Sequence, residues 1–358
     1  MSYHFLIYIS HTYALPIGAP LQKEILRQGY EVKWFSDQEY TKAHFPENGE
    51  LLDTIDDVIS YNPDIVLTIN DSVADFIPGI KVQVFHGFPA NKRKGTDQFK
   101  IRGFFDLYCT QGPSSTKTFK KLSKKYNTFE VVETGWSKMD PLFPKIEKQK
   151  SAKPVILIAS TFTKDYSLAL NEEVVQEIER LSKLDKYNFI AVLHPKLGKE
   201  VYEKFESLQN ENFEFYNTTD LVPLFKKADI MFADTTSALI EFLVQGKPVV
   251  TFKNNMPGPH LINVQEVSKI EPAFDNALSS PKALIQEINK FSEFSHPYTD
   301  GQSSKRVVEA CIEFLHKDKT QLKNKPLNLI RKYKIRKQLN YFTLKTFKRQ
   351  INGRKKIV

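Results

Sequence analysis

The stretch Ala228 to Phe252, ADIMFADTTSALIEFLVQGKPVVTF, decides the fold, because it reads as strand, hydroxyl-rich loop, helix, glycine stop and second strand. The apolar run Ile230 to Ala233 has the length of a buried strand, and Asp234-Thr235-Thr236-Ser237 follows where the chain must turn. Apolar residues at Ala238, Leu239, Phe242 and Leu243 keep to one helical face, and Gly246 supplies a left-handed stop. Thr235, Thr236 and Ser237 therefore sit at a helix start, where free N–H groups and the macrodipole favour negative charge. Two readings stay open at this point: ordinary capping by Ser, Thr and Asp, or a seat for an anionic phosphate group.

The same alternation extends in both directions. Strands are predicted at Phe5 to Ile9, Glu31 to Phe35, Ile65 to Ile69 and Val82 to Phe85, with helices over Leu21 to Gln28 and near Leu51 to Ser60. A polar, Pro-punctuated segment, Pro141 to Lys153, separates this half from another, which restarts with the strand Val155 to Ala159. The second half continues with a helix near Glu172 to Leu181, the strand Phe189 to Leu193, a helix near Glu200 to Leu208, and the opening unit; a final helix is predicted over Lys305 to His316. Strands alternating with helices specify an α/β protein with parallel sheets covered on both faces. We expect domains at 1–145 and 150–316, followed by a basic tail at 317–358.

Composition narrows the class. At 358 residues the chain exceeds one typical core, and 41% hydrophobic with 26% charged residues is ordinary for a soluble globular protein. The net charge of +9 is unevenly spread: Lys317 to Val358 holds 15 Lys/Arg against Asp318 alone, a local +14 that leaves −5 for the rest. Cys109 and Cys311 are the two cysteines, distant in sequence, which argues against a disulfide framework and for packing roles in a reducing compartment. The Phe5 to Ile9 run is too short for a secretory signal and no stretch reaches transmembrane length, so a cytoplasmic protein is expected.

Polar residues cluster at predicted strand ends, where ligands bind in open parallel sheets. His86 ends one strand, His194 another, and Thr235 to Ser237 follow a third. Such a set suits group transfer from a diphosphate-linked donor, since an imidazole can take a proton from a hydroxyl at neutral pH. No acidic cluster with metal-ligand spacing, Gly-x-Ser-x-Gly elbow, Walker loop or Gly-x-Gly-x-x-Gly fingerprint occurs. The loop from Gly87 to Gly95 carries Lys92, Arg93 and Lys94, either a solvated basic loop or a site for a phosphate-bearing substrate.

Six spaced segments, in order, resemble the CDP-glycerol glycerophosphotransferase family of teichoic-acid primases and polymerases and their capsule relatives. They are FHGFPANKRKG at Phe85 to Gly95, TGWSKMDPLF at Thr134 to Phe143, ILIASTF at Ile156 to Phe162, LHPK at Leu193 to Lys196, the opening ADTTSALIEFLVQGKPVVTF element, and DGQSSKRVVEA at Asp300 to Ala310. The resemblance implies a GT-B-like fold of two Rossmann-like, doubly wound domains facing a cleft, with a basic helical tail. It implies a CDP-activated polyol donor, a lipid- or glycan-linked acceptor, and no cofactor or metal. His86 matches the family's general base and His194 its phosphate-contacting histidine. Thr235, Thr236, Ser237, Glu241, Ser303, Ser304, Arg306, Thr161 and Lys196 fall on the donor side by the same likeness, and Gly87, Lys92, Lys94 and Lys138 on the acceptor and phosphate side. Lys138 and Thr163 stand where the family has Arg, so bidentate phosphate recognition is lost at both places. A GT-B glycosyltransferase or epimerase using a UDP-sugar is the alternative, and a nonenzymatic polyanion- or membrane-binding protein a second.

The tail mixes cations with apolar residues from Leu327 to Ile351. A helix on an anionic membrane surface, a helix packing back on the body, and nucleic-acid binding compete for it. The last is least favoured, because no nucleic-acid module accompanies the charge, and no nucleic-acid partner is expected.

Overall fold

The computed structural model describes residues 2–45, 49–88, 97–145 and 152–342. The chain divides into two compact units, one of Met1–Asp140 with Tyr298–Val358 and one of Pro141–Pro297. The first contains an all-parallel sheet of β1 (His4–Ile9), β2 (Glu31–Ser36), β3 (Leu51–Leu52), β4 (Ile65–Thr68), β5 (Ile80–Gln83), β6 (Leu107–Thr110) and β7 (Glu130–Glu133), in the order β3-β2-β1-β4-β5-β6-β7. Central β1 pairs with both β2 and β4 through Phe5, opposite Val32 on one side and Ile65 on the other. Its apolar run is buried throughout because helices cover both faces of the sheet.

The second unit repeats the plan with β8 (Val155–Ser160), β9 (Asn188–Leu193), β10 (Phe213–Tyr216), β11 (Ile230–Ala233), β12 (Val249–Phe252) and β13 (Ile262–Val264), in the order β10-β9-β8-β11-β12-β13. Here β8 is central, with Ile156 opposite Phe189 of β9 and Ile230 of β11. The core of this unit joins Ile156, Ile158, Val174, Ile178, Phe189, Phe232 and Phe274. Gly246 adopts φ 72° and stops the chain after helix Ala238–Leu243, as its sequence position requires.

Several element boundaries differ from the sequence expectation for local reasons. Leu51 and Leu52 form a strand instead of opening a helix, because Thr54 caps helix Ile55–Tyr61: its hydroxyl accepts from the Asp57 N–H and the Asp57 carboxylate accepts from the Thr54 N–H. The first helix begins earlier, at Leu15–Arg27, with Pro16 in its opening turn and Pro20 tolerated inside. Strand β5 ends at Gln83 because Phe85 enters the left-handed region at φ 62°.

The final helix, Ser303–His316, belongs to the first unit, unlike the expected second-half boundary at residue 316. Its buried face lies against β6 and the Leu15–Arg27 helix, and the Cys311 thiol, raised by burial, meets that of Cys109. Two cysteines far apart in sequence are thus neighbours in the core.

The described part of the tail also returns to the first unit. Lys325 donates to the Phe104 carbonyl at 2.8 Å, and Asn328 donates to the Arg102 carbonyl at 2.7 Å. Helix Leu329–Gln338 turns Ile335 and Leu339 toward the core and buries Arg336 beside Asp75 at 3.1 Å, with its guanidinium over the Phe76 ring. Among the described residues no helix is long and apolar enough to cross a membrane.

Candidate functional site

In the second unit the strand order reverses between β8 and β11, and the loops that follow these two strands flank that point. Asp234, the first residue after β11, ties them together. Its carboxylate accepts from the Ser160 hydroxyl at 2.7 Å, the Leu168 N–H at 3.0 Å, and the Thr161 N–H at 3.0 Å to each oxygen. Its carbonyl accepts from Asn254 at 3.0 Å. Burial raises the Asp234 carboxyl to about 6, against the pull of the Ser160 hydroxyl and these amides.

Beyond this clamp lie three half-buried hydroxyl residues. Thr235 accepts from the Asn255 N–H at 3.2 Å, and Thr236 accepts from the Ala238 N–H at a long 3.4 Å. Ser237, at the N-cap position, makes no side-chain cap bond. Capping therefore accounts for only one weak contact here. Helix Ala238–Leu243 is six residues long, so its macrodipole is small and the loop hydroxyls and amides carry the polarity of this edge. Glu241 is buried within that helix.

His194 follows β9, and its ring lies 4.5 Å from that of Phe162, the residue after clamped Thr161. The Lys196 N–H donates to Nδ1 at 3.1 Å. A backbone amide can only donate, so Nδ1 accepts and the neutral ring carries its hydrogen on Nε2. The exposed Lys196 ammonium lies 5.1 Å from the Phe162 ring centroid.

In the first unit the equivalent edge carries His86. Left-handed Phe85 turns the chain just before it, a strained conformation for an aromatic residue. Two features hold the turn: Phe85 packs on Phe119 at 5.1 Å, and the buried Trp136 indole N–H donates to the Phe85 carbonyl at 3.2 Å. The His86 ring faces Tyr13 at 6.0 Å. The Asn70 amide in turn donates to the Tyr13 hydroxyl at 3.2 Å and accepts from the Ser10 N–H at 3.0 Å. These residues come from the loops after β1, β4 and β5. Gly87 accepts from the Gln111 amide at 2.9 Å, and buried Lys138 lies 5.5 Å from the Trp136 ring centroid. Lys92 and Lys94 lie outside the described residues.

Ser303, Ser304 and Arg306 depart from the donor assignment in two respects. They sit in the first unit, and the amides of Ser303 and Ser304 each donate to the Asp140 carboxylate at 2.7 Å. A side-chain carboxylate thus occupies the helix start that was expected to meet a phosphate. Arg306 is engaged with Asp300 and stacks over Tyr298. Gly135, at φ 81°, lets this contact close, since a Cβ there would lie 2.4 Å from the Ser303 hydroxyl.

The six sequence segments consequently sort three and three. Those around His86, Trp136 and Ser303 interlock in the first unit, and those around Thr161, His194 and Asp234 interlock in the second. Sequence reading missed Asp234, Asp140, Tyr13 and Asn70 as site-forming residues. Strand-end position was the available signal for Asp234, Asn70 and Tyr13, as it was for the histidines; Asp140 lay within the TGWSKMDPLF segment, where nothing local gave its partner.

The family model for UDP-N-acetylglucosamine 2-epimerase matches residues 141–312. Teichoic acid glycerol-phosphate primase of Bacillus subtilis is 25% identical over 227 residues, covering 58% of this chain and 58% of that protein. Among solved structures, a UDP-N-acetylglucosamine 2-epimerase from Listeria monocytogenes superposes with TM-score 0.61 at 15% identity, covering 89% of this chain and 98% of that one. A variant of the wall teichoic acid polymerase TagF, soaked with CDPG, superposes with TM-score 0.62 at 15% identity, covering 88% and 89%. Two parallel-sheet α/β domains of GT-B-like type are common to all of these folds and to this chain. The chain is thus similar in sequence to a teichoic acid glycerol-phosphate primase, 58% of whose length it spans, and shares its fold with TagF and the epimerases.

Proposed function

We propose that this chain transfers a polyol phosphate, glycerol phosphate first among them, from a CDP-linked donor to a hydroxyl of a lipid- or glycan-linked acceptor. Its setting is cell-surface polymer synthesis at the cytoplasmic face of the envelope. The observation that carries this reading is the Asp234 clamp, which fixes two loops at the strand-order reversal with hydroxyls and, beyond Phe162, a histidine beside them. A donor-rich edge beside a buried carboxylate that its own amides and hydroxyl engage suits a diphosphate.

In the proposed reaction the acceptor oxygen bonds to the donor's β-phosphorus, the bond from that phosphorus to the bridging oxygen breaks, and CMP leaves with the electron pair. His86 takes the acceptor proton. His194, through Nε2–H, donates to a phosphate oxygen, with Thr161, Thr235, Thr236, Ser237 and Lys196 around the donor and Glu241 behind it. Gly87, Lys138, Lys92 and Lys94 belong to the acceptor side. The reaction needs no bound metal or cofactor in this reading.

CMP release from CDP-glycerol with a phosphorylated polyol acceptor tests the reading directly. His86→Ala is expected to lower turnover at least about a hundredfold with an unchanged melting temperature; an equal loss of folding would make the residue structural. Thr236→Ala combined with Ser237→Ala is expected to weaken donor binding, and an unaltered donor affinity would count against the hydroxyl loop. The epimerase family match over 141–312 favours a second reading, inversion at C2 of UDP-N-acetylglucosamine. Proton NMR of that substrate incubated with the protein separates the two, since only an epimerase produces the C2 isomer without releasing nucleotide.

A further inference from the structure

Residues 100–105, between the short helical turn Asp97–Phe99 and β6, adopt no regular structure, so their backbone polar groups need partners from outside the loop. The tail supplies two of them. Lys325 donates to the Phe104 carbonyl and pairs with the Asp106 carboxylate at 2.6 Å, while Asn328 donates to the Arg102 carbonyl. Between these contacts Gly103, at φ 78°, lets Pro326 pack against the loop, since a Cβ there would lie 2.8 Å from the proline Cγ.

At Asn328 local and tertiary demands conflict. It holds the N-cap position of helix Leu329–Gln338, a place its side chain suits, yet it makes no cap bond. Its backbone is left-handed at φ 55°, its amide reaches the Arg102 carbonyl, and its Oδ1 accepts from Arg331 at 3.1 Å. A residue that gives up a cap for a contact 226 positions away serves the loop it reaches.

From that loop a series of contacts runs to the His86 turn. The Arg102 guanidinium pairs with Asp71, and both line one cavity with Phe85, whose left-handed backbone precedes His86. Asp71 adjoins Asn70, which holds the Tyr13 hydroxyl and the Ser10 N–H, and Tyr13 faces the His86 ring. Further along the same loop the tail acts directly, through Arg336 and Lys332 on Asp75 at 3.1 and 3.7 Å. Ile335, Leu339 and Tyr341 already pack the tail onto the core, so its directional polar bonds add placement more than adhesion.

We propose that Asn328 is a positioning residue for the first unit's edge: by fixing Arg102 it sets Asp71 and Asn70, and through them Tyr13 and the His86 turn. The inference rests on His86 taking the acceptor proton, as in the reaction proposed above. Asn328 acts through Arg102 and is not itself catalytic.

The test compares the full chain with Asn328→Gly and Asn328→Asp. Glycine adopts the left-handed backbone freely, and aspartate keeps the side-chain shape and the acceptor toward Arg331 but cannot donate to Arg102. Both variants should melt within about 3 °C of the parent and bind donor equally well, with kcat lowered about tenfold. Hydrogen exchange read by mass spectrometry should quicken about tenfold in the peptides holding Ser10 and Asn70. Lys334→Gln with Lys337→Gln, which removes charge from exposed positions of the same helix, should change neither readout. An unchanged kcat, a loss of kcat that only follows a falling melting temperature, or faster exchange confined to residues 100–106 would each overturn the proposal. A parent that releases no CMP from CDP-glycerol ends the phosphotransfer reading alone; exchange at Ser10 and Asn70 still decides whether Asn328 sets this edge.

Discussion

The two sheets end in edges built by different means. In the second unit a buried carboxylate organises the edge: Asp234 gathers a hydroxyl and backbone amides from the loop after β8 and sets both loops at once. In the first unit the His86 turn is held by a left-handed aromatic residue, an indole N–H and side-chain packing, while Asp140 pins the returning Ser303–His316 helix nearby in the chain's motif order. A charge network fixes several loops through one residue, so its loss is costly. A strained turn supported from several sides loses less with each support removed. The edges therefore differ in how concentrated their stability is.

The largest effect is expected at Asp234. Asp234→Ala leaves buried amide donors without an acceptor and should destabilise the second unit by about 3 kcal/mol or more, with donor affinity falling alongside. Titration sharpens this. Burial raises the Asp234 carboxyl from 3.8 to about 6, so between those values the folded chain holds a proton that the unfolded chain has released. Its contribution to stability is fully present below 3.8 and is lost as pH rises through 6. Chemical denaturation across that window should show a steeper decline for the parent than for Asp234→Asn, which cannot titrate; parallel curves would break the assignment.

Asp140→Ala comes next. It removes two charge-assisted bonds from the start of helix Ser303–His316 and should cost the first unit about 2 kcal/mol, measured by thermal melt. A cost as large as that of Asp234→Ala would erase the contrast between the two edges. Trp136→Phe removes the N–H to the Phe85 carbonyl while keeping most of the packing. About 1 kcal/mol of stability should be lost, with a disproportionate loss of turnover if the turn aims His86.

The smallest stability change is expected at Gly87. A Cβ there meets no described atom within 4 Å, and its backbone is outside the left-handed region. Gly87→Leu should leave the melt within about 0.5 kcal/mol and raise the KM for the acceptor. An unchanged KM would remove Gly87 from the acceptor side.

Residue patterns made much of this visible. The runs at β1, β8, β9 and β11 were legible because a parallel strand buried on both faces is apolar along its length. His86, His194 and Thr235 to Ser237 were legible because a polar residue directly after such a run must lie at the sheet's carboxyl edge. Asp234 looked like a turn residue, and only its partners from Ser160 to Leu168 show otherwise. Asp140 and Ser303 are separated by 163 positions, and no local pattern announces a contact at that range.

By itself, the sequence determined the apolar strands β1, β2, β4, β8, β9 and β11, where their ends put polar groups, and that the tail is basic. Each of these follows from side-chain periodicity and turn chemistry within a few residues. The tertiary structure alone decided that Ser303–His316 returns to the first unit, that Asp140 fills its helix start, that Asp234 holds two loops, and that the tail helix packs Ile335, Arg336 and Leu339 against the first unit. These depend on which distant residues meet, and burial and pairing become defined only when strand order brings them together.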